Sequence, residues 1–295
     1  MKTLVQNIVC GGIAAAFAVC GVAFVSRARL PKEANPQPLH VLVADTSAVE
    51  LDCSCAPGAP RRQYERLRLV LQSAIGRPVQ FEYIADSLFD EMPEADARLV
   101  RSSELMIGKH SAINYAASKI NQPVRWIASL TQTDGRYEFT GIFVARADGP
   151  IAKIGDLQGH KVSLGMPFHA EKHDAALAAL RRENASPAEV RNVLLCRDAV
   201  ADVVAGRSDA AVISDYSQGL LQTPEVARGV KLAVIGKTDE VPYIAVFAND
   251  WVRQREVDII RRFLTEQAGT NPELLRALQS GTGFVPAPSR VEEEK

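Results

Sequence analysis

The sequence predicts an α/β protein with mostly parallel sheets, set behind an N-terminal hydrophobic segment. Three observations carry that expectation. From residue 39 onward, short apolar runs alternate with amphipathic stretches of helical period. Turn residues punctuate the alternation, as in repeated strand–helix–strand units. An uncharged apolar stretch and a proline-rich spacer precede it all.

The bulk numbers agree with a globular chain. It has 295 residues, 47% hydrophobic and 23% charged, with 34 basic and 35 acidic residues for a net charge of −1. No block of Lys and Arg stands out, so nucleic acid is not an expected partner.

Residues 8–25 are uncharged and rich in Ala, Val, Ile and Phe, with Lys2 before them and Arg27, Arg29 and Lys32 after. As a helix this run would span roughly 27 Å, about the thickness of a bilayer's hydrocarbon core. It reads either as a secretory signal, with Ser26-Arg27-Ala28 as a small-x-small cleavage site, or as an uncleaved anchor. The basic residues that follow it weigh against translocation of what comes next. Cys20 follows Phe17-Ala18-Val19, a poor match to a lipoprotein cleavage site. Residues 1–28 are therefore assigned to signal or anchor. Residues 29–38 form a linker, because Pro31, Pro36 and Pro38 deny it helix or sheet. The expected location is periplasmic or extracytoplasmic, with residues 8–25 as the route to the inner membrane.

The folded region follows in order. LHVLVA at 39–44 is a short apolar run and reads as a buried strand. The helix expected at 63–75 places Tyr64, Leu67, Leu71 and Ala74 on one face and is stopped by Gly76 and Pro78. VQFEYI at 79–84 alternates as a strand does. Further strands are expected at 105–108, 124–130, 137–147, 162–166, 190–195, 209–214, 232–235 and 243–248. Helices are expected at 111–120, 173–183, 198–205, 252–267 and 272–279. Ligands of such sheets bind beyond the carboxyl ends of the strands. That rule points to the loops at 45–60, 109–111, 167–173, 196–198 and 214–217.

Several stretches, in this order, resemble the phosphate/phosphite/phosphonate-binding (PhnD-like) family of ABC-transporter periplasmic solute-binding proteins. They are RLRLVLQSAIGRPVQFEY, GKHSAINYAAS, TGIFVARADGPIAKIGDLQGHKVSLG, RDAVADVVAGRSDAAVISDY and the ending GFVPAP. The resemblance spans roughly residues 39–290. It implies a two-lobed type II periplasmic-binding-protein fold, with lobe 1 at 39–143 plus 246–295 and lobe 2 at 144–245. Crossovers at 139–146 and 243–248 would then serve as a hinge, and closure around a ligand is the implied motion. It also implies a small-molecule or oxyanion ligand and an ABC-transporter permease, or a membrane sensor, as partner. The family commonly grips its anion with a run of hydroxyl residues at a helix N-terminus in lobe 2. The matching stretch here is GMPFHAEKHDA, which keeps Gly165 and Pro167 but puts Phe168, His169, Ala170 and Glu171 in place of the hydroxyls. A carboxylate there repels an anion unless it is neutralised. Ser111 is the one hydroxyl that carries over.

The candidate ligand residues are Lys109, His110 and Ser111 on one side and His169, Glu171, Lys172, His173, Asp215 and Tyr216 on the other. Lys109 and His110 precede a helix, where cationic groups and free backbone N–H favour an oxyanion. Glu171, Lys172 and His173 read equally as a capping or surface triplet. Asp215 reads equally as an N-cap. Of five cysteines, Cys10 and Cys20 fall in the apolar segment. Cys53 and Cys55 form a Cys-x-Cys in the first cleft loop, and Cys196 opens another. These three could bind a soft metal or a metalloid, or two of them could form a disulfide in an oxidising compartment. The chain lacks Gly-x-Ser-x-Gly, a phosphate-binding Gly-rich Lys loop and His-Glu-x-x-His, so an enzyme is not expected, nor is a cofactor. A redox or hydrolytic enzyme on this fold is the weakest reading.

Overall fold

A computed structural model describes residues 37–51, 61–89, 91–224 and 228–288. The expectations for residues 8–25 and for Cys53 and Cys55 lie outside the described residues. Among the described residues no helix is long and apolar enough to cross a membrane.

The first lobe starts from a strand–helix–strand unit. β1 (Leu39–Ala44) is buried almost throughout because β2 (Val79–Tyr83) and β3 (Leu105–Lys109) flank it in parallel. Between β1 and β2 runs α1 (Tyr64–Ile75), which buries Tyr64, Leu67, Leu71 and Ile75 at three- and four-residue spacing. Gly76 closes it in the left-handed conformation, with φ of 73°. α2 (Glu94–Ser102) escapes the sequence reading because it buries only Ala97 and Val100, too few apolar positions to show a period. α3 (His110–Lys119) leads directly out of β3, and β4 (Val124–Leu130) follows.

The chain then crosses to the second lobe. The single strand expected at 137–147 is two: β5 (Glu138–Phe139) and β6 (Gly141–Arg146). They part at Thr140 because each pairs with a different partner. β7 (Lys161–Gly165), α4 (Asp174–Arg182), β8 (Glu189–Val193), α5 (Cys196–Val204) and β9 (Ala210–Ser214) continue the alternation, and β10 (Leu232–Lys237) completes the second sheet. β11 (Val241–Pro242) pairs with β5 on the way back, and β12 (Ile244–Asn249) rejoins the first sheet. α6 (Gln254–Arg262) widens into a π turn at Phe263–Gln267 that buries Phe263 and Leu264, so the helix expected at 252–267 is not uniform. α7 (Pro272–Leu278) and β13 (Phe284–Pro286) finish the lobe.

The strand orders are β13-β4-β12-β3-β1-β2 and β10-β6-β9-β7-β8. The result is an α/β fold of two lobes. The sheets are mixed, which corrects the expectation of mostly parallel ones. β12 runs antiparallel to both β3 and β4, and β6 antiparallel to both β9 and β10. Both are crossing strands. Each enters its sheet from the other lobe and so points the opposite way, a direction that strand–helix–strand alternation alone does not reveal. The expected lobe divides at 143/144 and 245/246 fall inside β6 and β12. Sheet membership puts the crossings just before β6 and just before β12. There the two connections lie side by side: Tyr243 N–H donates to Tyr137 O at 2.9 Å, and Thr238 N–H to Gly141 O at 2.9 Å.

Candidate functional site

The loops beyond β3, β7 and β9 meet between the lobes. Lys109 ends β3 and points into that meeting. Its side chain is 2% exposed, and Nζ lies 3.7 Å from Glu171 Oε1. Glu171 comes from the second lobe, in the turn between β7 and α4. That turn folds back on its own strand: Gly165 N–H donates to Lys172 O at 3.0 Å, and His169 N–H to Met166 O at 2.9 Å. Two glycines permit it. A Cβ on Gly141 would lie 2.2 Å from Glu171 O, and one on Gly165 would lie 2.6 Å from Lys172 Cβ. Only glycine allows such backbone approach.

Glu171 is fully buried. Ser214 Oγ, at the end of β9, donates to Glu171 Oε1 at 2.7 Å. Glu171 Oε2 is buried with no hydrogen-bond partner. Burial by itself would raise the carboxyl's pKa, but Lys109, His169, Lys172 and the Ser214 hydroxyl together hold it below its ordinary value. It is therefore an anion at neutral pH.

Lys172 is 3% exposed and reaches the same region from the other direction. Its Nζ lies 3.6 Å from Cys196 Sγ, the first residue of α5. Cys196 in turn donates to Ser214 Oγ at 3.8 Å. Burial pushes this thiol up, yet Lys172, the Ser214 backbone, the Ser217 hydroxyl and Lys109 bring it below its ordinary value of 9.0. Lys109, Glu171, Ser214, Cys196 and Lys172 thus form one connected, buried polar chain. Two ammonium groups, those of Lys109 and Lys172, take part in it.

Aromatic rings close one side. Lys109 Nζ lies 5.3 Å from the Tyr216 ring centre, a cation–π distance. Tyr216 stacks on Tyr243 at 5.5 Å and on Phe139 at 6.1 Å. Tyr243 links this wall to the loop after β1, where its hydroxyl lies 3.4 Å from Ser47 Oγ. Behind Ser47, Asp45 accepts from Arg62 at 2.9 Å, from Tyr64 at 2.6 Å and from Ser47 N–H at 2.9 Å.

Ser111 spans the lobes by itself. Its Oγ donates to Phe168 O at 2.9 Å and accepts from Ala170 N–H at 3.2 Å. The Phe168 ring, wholly buried, packs in the first lobe's core with Ala112, Ile113 and Phe247.

Of the remaining candidates, His110 and His173 stand apart, while His169 and Asp215 lie near Glu171. The His110 ring packs on Trp126 at 4.3 Å and Phe247 at 5.4 Å, and burial lowers its pKa to about 4. It lines a groove of about 490 Å³ with Asn114 and Arg125, away from Lys109 and Glu171. His173 pairs with Asp174 at 2.6 Å at the head of α4. The Asp215 carboxylate accepts from Thr140 N–H at 3.2 Å and Thr140 Oγ1 at 3.3 Å, so it faces the crossover. His169 is buried, with its ring 4.4 Å from Phe168. Among the described residues no group of three or more His, Cys, Asp or Glu is placed to hold a metal ion.

Sequence reasoning marked the loops that carry Asp45, Phe168 and Ser214 without singling out those residues, and it missed Tyr243, Arg62 and Tyr64 as parts of this region. Position was the available signal for Asp45 and Ser214, because each stands at the carboxyl end of a strand. Nothing in the sequence pairs Arg62 with Asp45.

Comparison with known proteins adds three findings. A family model described as "ABC transporter, phosphonate, periplasmic substrate-binding protein" matches residues 56–290. None of the curated proteins matches the chain by sequence. Among solved structures, the chain is similar to a binding-protein component of an ABC phosphonate transporter from Pseudomonas aeruginosa. Identity is 15% and TM-score 0.59, over 85% of this chain and 82% of that one. It is similar to XAC2383 from Xanthomonas citri bound to ATP, at 14% identity and TM-score 0.62, over 88% and 94%. It is also similar to PhnD1 from Prochlorococcus marinus in complex with methylphosphonate, at 14% identity and TM-score 0.56, over 88% and 97%. At such identities the likeness speaks to the fold.

Proposed function

Because the chain belongs to the phosphonate-binding family of periplasmic substrate-binding proteins of ABC transporters, we propose that it captures a small phosphorus oxyanion between its lobes and presents it to an importer. The family is one of solute-binding proteins, not enzymes. One observation carries the ligand class. Lys109 and Lys172, from different lobes and both nearly inaccessible, converge on the buried Glu171 and Cys196. Buried ammonium groups are costly unless anionic groups offset them, which suits the place to an anionic ligand. Ser214 and the Cys196 end of α5 add hydrogen-bonding groups of the kind that suit phosphorus-bound oxygens. Two similar structures hold such groups, methylphosphonate in one and ATP in the other.

In this reading Lys109 and Lys172 carry the charge, Ser111 and Ser214 orient it, and Tyr216 forms the apolar wall. Lobe closure about the paired crossings β5 and β11 brings the halves together. Residues 8–25 would lead the chain through the inner membrane, either as a removed signal or as a lasting tether. N-terminal sequencing of exported protein separates these.

A thermal-shift panel tests the ligand class. Methylphosphonate or inorganic phosphate at about 100 times its dissociation constant adds about 2.7 kcal/mol to stability. Indifference to both anions, with a response to Cu(I) or arsenite that disappears in Cys196→Ser, would instead favour the thiol reading built on Cys53, Cys55 and Cys196.

A further inference from the structure

The turn between β7 and α4 does more than line the site. It crosses the cleft and docks on the first lobe. Phe168 is wholly buried among first-lobe residues at the start of α3. The Phe168 carbonyl and the Ala170 N–H both bond to Ser111 Oγ. Three residues on, Glu171 brings its own carboxylate to Lys109 and Ser214. The groups that would hold an oxyanion already hold one, and it is covalently part of the second lobe.

We propose that the 167–172 turn is an intramolecular occupant of the anion seat, with Glu171 as a built-in counter-anion that an incoming ligand must displace and Phe168 as the anchor that keeps the lobes together in its absence. This rests on the oxyanion reading above and sharpens it, because it makes Glu171 the residue that sets the ligand's charge. Glu171 Oε2 is buried without a hydrogen-bond partner, so the internal carboxylate is itself only half satisfied in the seat. That leaves a group open to exchange. Seating a second full anion beside Glu171 would place like charges in one buried space, which weakens binding. Lys172, whose Nζ lies 3.6 Å from the Cys196 thiol, is the cation through which an arriving anion gains its first hold. Closure without ligand follows from the same contacts. An apolar anchor and two hydrogen bonds join the lobes before any solute arrives, so ligand exchange requires the turn to lift from α3.

The test joins two measurements on the full chain. The first is calorimetric titration with methylphosphonate and with inorganic phosphate, comparing wild type with Glu171→Gln. Removing the competing charge while keeping the side chain's shape strengthens binding by roughly 10-fold to 100-fold. The second is small-angle scattering without ligand. Wild type is already compact and changes little on adding phosphate, whereas Phe168→Ala is expanded and contracts when phosphate is added. The inference is overturned if Glu171→Gln binds no more tightly than wild type, or if ligand-free wild type is expanded and contracts on binding. Either of those results leaves the oxyanion reading in place. If neither anion binds any of the three proteins, the oxyanion reading and the inference fall together.

Discussion

Two buried charge clusters lie close together in this protein and differ in completeness. Around Asp45, both carboxylate oxygens are engaged: Arg62, Tyr64 and the Ser47 backbone all donate to it within one lobe. Around Glu171, the ion pair spans two lobes at 3.7 Å and one carboxylate oxygen has no partner. Burying charge is tolerable when hydrogen bonds saturate it and expensive when they do not. The first cluster therefore reads as architecture that holds the loop after β1. The second reads as a seat held partly open at the cost of some stability.

The sharpest way to break this contrast is Asp45→Ala. It strands Arg62 and Tyr64 in the core, and the expected loss is about 4–5 kcal/mol of global stability in urea unfolding. Survival of Asp45→Ala at wild-type stability would remove the distinction. Lys109→Met should cost about 3 kcal/mol near neutral pH, because it leaves the Glu171 anion buried without its partner. The pH dependence supplies a check with a definite sign. In wild type the Glu171 pKa is depressed, so its contribution to stability is present above its unfolded value, near 4.5, and is lost as pH falls through the folded value. In Lys109→Met the main cation is gone and burial pushes the carboxyl up, so acid should then protect where it harmed. Parallel pH–stability curves for the two proteins would contradict the account.

Ser111→Ala removes two hydrogen bonds between the lobes but little from either core. A loss of about 1–2 kcal/mol is expected, with more frequent lobe opening seen as faster amide exchange in the 167–172 turn. The smallest effect concerns Cys196. Its thiol and a bound oxyanion are rival partners for Lys172, so saturating phosphate should shift the thiolate's ultraviolet titration to higher pH. An unchanged titration would place the anion elsewhere.

Much of the architecture could be read before the structure. The apolar run 39–44, the face built by Tyr64, Leu67 and Leu71, and the Gly76 stop are local signals, and each element formed where expected. The antiparallel entry of β6 and β12 was not legible, because strand direction depends on which lobe the chain arrives from. The site was legible by position only in part. Lys109, Ser111, Glu171, Lys172, Cys196 and Tyr216 do gather between the lobes, as loops at strand ends would suggest. His110 does not join them, because residues 109 and 110 point to opposite sides where the strand turns into the helix, and Trp126 and Phe247 hold the ring. The crossing of Phe168 into the other lobe's core also left no trace in the sequence. A phenylalanine among polar residues looks the same whether it fills its own lobe or its neighbour.

If Lys109 and its surroundings form the proposed anion seat, neutralising Lys109 weakens anion binding. The most direct test is a calorimetric titration with methylphosphonate that compares Glu171→Gln with the double variant Lys109→Met/Glu171→Gln, in which both members of the pair are neutral. Saturable one-site binding to the single variant, weakened roughly 100-fold in the double, is the expected result. Equal affinities in the two proteins would contradict it.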